Sequence, residues 1–261
     1  MVARSGLAGA VLCGVAFLAS FSAVAASSSS SSDVDADALA ALDKMGAELR
    51  THSNFDVKSD VTMEDVLVSG QKLQYTGTLE TIARRPNGFR ISMVSDNKDR
   101  QVYYDGKNVT LFSPRLGYYG SFPAPDTIKA TLQKAKAQYG IELPLADLYA
   151  WGTDPSLVKR VKSGFFVRQD HVNGQACNHF AFRQEKVDWQ IWIAANGPAL
   201  PCKMVITNTS DPAQPQYTAV MRWSFPNSIP DSTFAFTPPA NAKKIAIATI
   251  PTVRLAGGRY P

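Results

Sequence analysis

The chain has 261 residues, a formal net charge of +5 and charged residues at 19%. The charges are scattered, and no Lys/Arg run carries interleaved aromatics, which removes the footprint of a nucleic-acid binder. A mildly basic surface of this kind fits peripheral contact with an anionic membrane or acidic partners, with plain solvation as the ordinary alternative.

Residues 1–26 have the three parts of a cleavable export signal. Arg4 supplies the positive end, residues 7–21 are apolar, and Ala23-Val24-Ala25 is a small-x-small cleavage site. The apolar run is shorter than the ~20 residues a spanning helix needs. Cleavage would remove Cys13 with the leader. Residues 27–34 are rich in serine, have little apolar surface to bury and are expected to be disordered. Residues 35–250 are expected to form one domain and residues 251–261 a loose tail. The expected address is the periplasm.

Leu39, Leu42, Met45 and Leu49 recur at three- and four-residue steps, so residues 37–50 are expected to form a helix with one apolar stripe, capped near Asp37. From Asn54 the period changes to two. Phe55, Val57, Val61 and Met63 face one way, and Asp56, Lys58 and Asp60 the other. The next strand repeats the pattern with Leu73, Tyr75, Gly77 and Leu79, and the following one with Phe89, Ile91 and Met93. Residues 101–122 read as three short strands. Asp105-Gly106 makes a tight first turn, and Ser113-Pro114-Arg115-Leu116-Gly117 makes the second. About six consecutive strands make a meander long enough to curl into a partial barrel.

Phe122-Pro123 ends the meander, and Asp126 is expected to cap a helix that stops at Gly140 and carries Leu132 and Tyr139. Residues 143–151 are very apolar, with Leu143, Leu145, Leu148 and Trp151. Residues 157–170 read as two short strands around Ser163-Gly164, and Asn173-Gly174 is a hairpin signal. Trp189, Ile191 and Ile193 share one face of the next hairpin, with Asp188, Gln190 and Trp192 on the other. Residues 216–225 form the last long strand, with Met221 and Trp223. Residues 234–239 read as a closing edge segment.

Cys177 and Cys202 survive cleavage of the leader. An even pair in an exported chain invites a disulfide, provided the Cα atoms lie within ~7 Å. No second pair of Cys or His at ligand spacing suggests a metal. His52, His171 and His179 have no Ser or Cys nucleophile motif beside them. Gly-x-Ser-x-Gly, His-Glu-x-x-His and the phosphate-loop pattern are all absent from the sequence. The residues therefore read as a protein that is not an enzyme and holds no cofactor. What stands out is the apolar load on one side of the strands. It is either an ordinary core under two helices or the wall of a cavity, and a concave apolar cavity is the usual form of a ligand pocket.

Six stretches in order, GQKLQ, ARRPNGFRI, YYDGKNVTLFSP, GIELPLADL, DWQIWI and LPCKMVITN, give the chain a resemblance to a family of predicted periplasmic proteins. That family is similar to the LolA-like superfamily of lipoprotein carriers. The resemblance implies a mostly β, α+β fold: a curved antiparallel sheet forming an unclosed half-barrel, with helices plugging its open side. It implies a lipid, acyl chain or lipoprotein as ligand. The wall would then be the inward residues named above on each strand. The helix over residues 126–139 and the segment 143–151 would act as lid. The other expectation is a protein-interaction module of the envelope with a filled core and an envelope protein as partner.

Overall fold

The computed structural model describes residues 33–141, 143, 157 and 159–250, all within one compact unit, Ser32–Pro261. The expected signal peptide, most of the serine-rich leader, the tail and the apolar residues Leu145, Leu148 and Trp151 lie outside the described residues.

The first helix, α1 (Ala36–Thr51), buries Leu42, Met45 and Leu49 of the expected stripe, with Ala38 buried in place of Leu39, which is only half-buried. Its N-cap is Asp35, whose side chain makes no capping bond. A meander follows: β1 (Asn54–Val66), β2 (Lys72–Arg84), β3 (Gly88–Ser95), β4 (Asp99–Tyr104), β5 (Asn108–Ser113) and β6 (Tyr118–Pro123). The second helix, α2 (Ile128–Tyr139), is capped by Thr127 and not by Asp126. The Thr127 hydroxyl accepts from the Ala130 N–H at 3.3 Å. Gly140, left-handed at φ 64°, ends it.

The second half is β7 (Ser163–Val172), β8 (Gln175–Arg183), β9 (Val187–Ala194), β10 (Pro201–Asn208) and β11 (Gln216–Ser224). The two short strands expected around Ser163-Gly164 are one strand. Gly164 lies inside it because a Cβ there would stand 2.5 Å from the Phe182 ring; the glycine admits a neighbour rather than a turn. The segment over 234–239 is not an edge strand either. Phe234 is buried, and Phe236 packs against Tyr103, Phe112 and Tyr119. The edge is β12 (Lys243–Lys244), which pairs in parallel with β6.

Among the described residues the strands form one 12-stranded sheet in the order β12-β6-β5-β4-β3-β2-β1-β11-β10-β9-β8-β7, antiparallel except at β12. The sheet is an unclosed half-barrel. A flat sheet of this width would span roughly 50 Å at ~4.8 Å per strand. Yet Phe122 of β6 and Phe182 of β8 belong to one core cluster with α1, so the sheet must curl around its helices.

The two ends of the half-barrel differ. Antiparallel alternation puts the β2–β3, β4–β5, β7–β8 and β9–β10 turns at one end. These are built from Pro86-Asn87, Asp105-Gly106, Asn173-Gly174 and Asn196-Gly197, ordinary polar turn residues. At the other end the β1–β2 turn exposes Leu67 and Val68 and the β5–β6 turn exposes Leu116, beside the polar β3–β4, β8–β9 and β10–β11 turns.

Candidate functional site

The inner face can be read row by row, because paired residues on neighbouring strands point the same way. Phe55, Ala83, Phe89, Tyr104, Val109 and Phe122 form the row at the polar-turn end. Phe180, Ile191, Met204, Ala219, Val61 and Gly77 cross the middle. The row toward the apolar-turn end is Phe182, Trp189, Ile206, Tyr217, Met63 and Tyr75.

Strand alternation placed its residues together. Phe55, Val57, Val61, Met63, Leu79, Phe89, Ile91, Trp189, Ile191, Ile193 and Met221 are buried in one cluster with α1. Tyr75, Met93 and Trp223 pack against that cluster and are only partly buried. Leu73 is half-buried near the β1–β2 turn, outside the cluster. Of the expected lid, Leu132, Tyr139 and Leu143 pack against the cluster. The deepest cover is α1, whose Leu42, Met45 and Leu49 are buried in the same cluster.

Ile206 and Tyr217 were missed, and both are only partly buried. The same period of two that marked Met221 and Trp223 would have found Tyr217. Its hydroxyl oxygen is buried without a hydrogen-bond partner, as is that of Ser59. Burial pushes the Tyr217 phenol well above its ordinary value. Two other inner polar groups are satisfied: the Tyr104 hydroxyl donates to the Pro125 carbonyl at 2.5 Å, and Trp223 Nε1 donates to the Pro201 carbonyl at 2.8 Å. An unmet buried hydroxyl costs about 1–3 kcal/mol, so the two orphans call for an explanation.

Two recesses reach the surface. Where β10 shifts register between Pro201 and Lys203, it parts from β11. The gap is a cleft of about 420 Å³ whose walls include Val172, Leu200, Cys202, Met221, Arg222 and Trp223. A groove of about 300 Å³ on the outer face is polar, with Lys58, Glu80, Ser92 and Arg222. There Arg222 and Asp60 form a bidentate pair at 2.6 and 3.1 Å.

The outer face of β8–β10 carries a second small core. Cys177 and Cys202 form a disulfide with Cα atoms 6.9 Å apart, and Trp192, Ala194 and Val205 pack beside it. The His179 ring stacks on Trp192 at 3.9 Å, with the Lys203 ammonium 4.5 Å from the indole centroid. His179 Nε2 bonds Gln190 Oε1 at 2.9 Å, and burial holds the imidazole below its ordinary value. The other histidines are elsewhere: His52 bonds Glu48 and stacks on Phe225, and His171 is exposed at the end of β7. They do not converge on one site. Among the described residues no group of His, Cys, Asp or Glu could hold a metal ion.

The chain belongs to the family described as "Predicted periplasmic protein (DUF2092)", whose model matches residues 38–248. No curated protein matches it. Among solved structures it is similar to the lipoprotein LppX of Mycobacterium tuberculosis. The identity is 10%, the TM-score 0.45, and the match covers 75% of this chain and 100% of that one. It is similar to a LolA superfamily protein of Nitrosomonas europaea at 8% identity and TM-score 0.37, over 76% of this chain and 97% of that one. It is also similar to the MucA/MucB complex of Pseudomonas aeruginosa at 14% identity and TM-score 0.38, over 80% of this chain and 64% of that one. Among the described residues no helix is long and apolar enough to cross a membrane.

Proposed function

We propose that this protein is a periplasmic carrier or sensor, exported by residues 1–26, that binds a lipid-like ligand with a long acyl chain on its inner face and performs no catalysis. The observation that carries the reading is the row Trp189–Ile206–Tyr217–Met63–Tyr75. It is apolar, its Ile206, Tyr217 and Tyr75 are incompletely covered, and an unpartnered hydroxyl stands in its middle. Four strand spacings make it roughly 19 Å long, a span suited to an extended acyl chain, with Tyr217 donating to a carbonyl or ester oxygen.

Magnitudes fix how the ligand binds. Expelling α1 would re-expose Leu42, Met45 and Leu49 at roughly 1.5–3 kcal/mol each. The chain therefore lies beside the helix, not in its place. Burying about ten methylenes contributes roughly 8 kcal/mol at ~0.8 each, against an association cost of roughly 4–15 kcal/mol. Short acyl chains are not retained and long ones are.

The test is titration of delipidated protein with a brominated long-chain fatty acid while Trp fluorescence is followed, alongside native mass spectrometry of protein purified from its own envelope. Quenching that disappears in Trp189→Phe, and an affinity about 1 kcal/mol weaker in Tyr217→Phe, the net worth of one hydrogen bond, are expected. No quenching together with no co-purifying lipid would sink the reading.

A second reading, a protein-interaction module, is favoured by the β7 edge, where Phe165, Phe166 and Val167 are exposed. It predicts an inner face filled by the protein's own side chains, with no bound ligand, and a partner protein that is lost when Phe165 and Phe166 become serine.

A further inference from the structure

The apolar-turn end of the half-barrel is the place where the chain departs furthest from ordinary turn chemistry. Val68 is fully exposed at the β1–β2 turn, and Leu116 is 67% exposed at the β5–β6 turn. Neither packs against the core, so folding gives no reason for a branched apolar side chain at either tip. Tyr118 and Ile245 continue the apolar surface at the β6 corner, both exposed. The backbone assembles that corner: Lys243 N–H donates to the Gly117 carbonyl and Ile245 N–H to the Tyr119 carbonyl, each at 2.8 Å.

Charge surrounds these tips. Lys243 and Lys244 are exposed and have no ion-pair partner among the described residues. Arg115 is exposed and donates its guanidinium to the Asp96 and Ser95 backbone carbonyls, with no carboxylate in ion-pair contact among the described residues. The cations nearer the β1–β2 turn are neutralised, Lys72 by Glu64 at 3.0 Å and Lys98 by Asp65 at 3.2 Å. Asp96 is the exposed carboxylate beside the corner. The result is apolar tips and a tyrosine flanked by Arg115, Lys243 and Lys244, three cations against the one carboxylate of Asp96, a composition that suits the boundary between anionic headgroups and acyl chains.

We infer that this end of the half-barrel is a membrane-contacting surface that takes the protein reversibly onto an anionic lipid bilayer, with Val68 and Leu116 entering the interface and Arg115, Lys243 and Lys244 facing the headgroups. It is the end toward which the row Trp189–Ile206–Tyr217–Met63–Tyr75 lies, so a bound protein presents its incompletely covered inner face to the lipid. The surface stands on its own observations and does not require the ligand reading.

The experiment is co-sedimentation of the export-processed protein with vesicles of phosphatidylcholine alone or mixed with phosphatidylglycerol. Binding to the anionic vesicles is expected, weakened by salt at about 0.5 M, where screening shortens to a few ångströms. Val68→Asp with Leu116→Asp should lower partitioning about tenfold or more, since a carboxylate cannot enter the interface. Lys243→Glu with Lys244→Glu should abolish the preference for phosphatidylglycerol. These positions are exposed, and an unchanged melting temperature verifies the fold of each variant. Tyr217→Phe should bind vesicles like the parent, which separates this surface from ligand uptake. Three results would overturn the inference: no vesicle binding, binding indifferent to lipid charge and to the tip variants, or self-association through the tips without vesicle binding.

Discussion

The two faces of strands β8–β10 are both buried, by different means. On the inner face Phe180, Trp189, Ile191 and Ile193 lie in a cluster that includes α1 and reaches across the sheet to β6. On the outer face Cys177, Trp192, Ala194, Cys202 and Val205 form a cluster of their own, closed by a disulfide, a His179–Trp192 stack and a lysine on the indole. Burial on the inner side is collective, spread over many elements. Burial on the outer side is local and rests on a few specific bonds. One sheet therefore holds an interior that tolerates loss of single contacts poorly and a surface patch whose parts can be removed separately.

The largest effect should come from the inner face. Ile191 is 0% exposed, so Ile191→Asn leaves a cavity and an amide without a partner and should cost about 3–5 kcal/mol by chemical denaturation. The matching outer change, Val205→Asn, falls in a small cluster where Val205 keeps 8% exposure, and should cost less, about 1–2 kcal/mol. Equal losses would erase the distinction between the faces.

The disulfide comes next. Cys177 and Cys202 are both buried, so alkylation of the folded protein without reductant should label neither. Replacing both by alanine should cost about 2–4 kcal/mol, since the bond closes a sequence separation of 25 residues in the unfolded chain. Hydrogen exchange should quicken in β8–β10 and stay unchanged in β2–β5. Equal loosening of the whole sheet would show that the outer cluster is not local.

Much of the inner face was legible because strand alternation needs only the chain's own period. Phe55, Val57, Val61 and Met63 are inward on that count and buried in the structure. The rows were not legible, since they depend on which strands become neighbours. β1 lies between β2 and β11, and nothing local says that Met63 will stand beside Tyr217. Turn chemistry misled where packing overrode it: Ser163-Gly164 has the composition of a turn, but the glycine is there to admit the Phe182 ring. The helix cap was misread for a smaller reason. Asp126 and Thr127 are both capping residues, and only backbone geometry chooses between them. The histidines were set aside for want of a catalytic motif. That reasoning could not see that Trp192, on the polar side of an alternating strand, would bury His179.

The smallest effect is the pH response of the outer cluster. Desolvation is the main cause that lowers the His179 pKa, helped by Arg168 and Lys203, while Gln190 and Asp170 raise it. The folded state therefore resists protonation more than the unfolded chain does. As pH falls below the ordinary imidazole value of 6.5, the unfolded chain takes up the proton first, and stability drops. At pH 7.5 both states are mostly neutral and this contribution nearly vanishes. His179→Phe keeps a ring over Trp192 and cannot titrate. The parent should thus lose more stability than the variant between pH 7.5 and pH 5, read as denaturation midpoints. His52 and His171 are present in both proteins and cancel in the difference. A parent that gains on the variant as pH falls would mean that Asp170, on β7, outweighs desolvation and that the outer cluster is wetter than its packing implies.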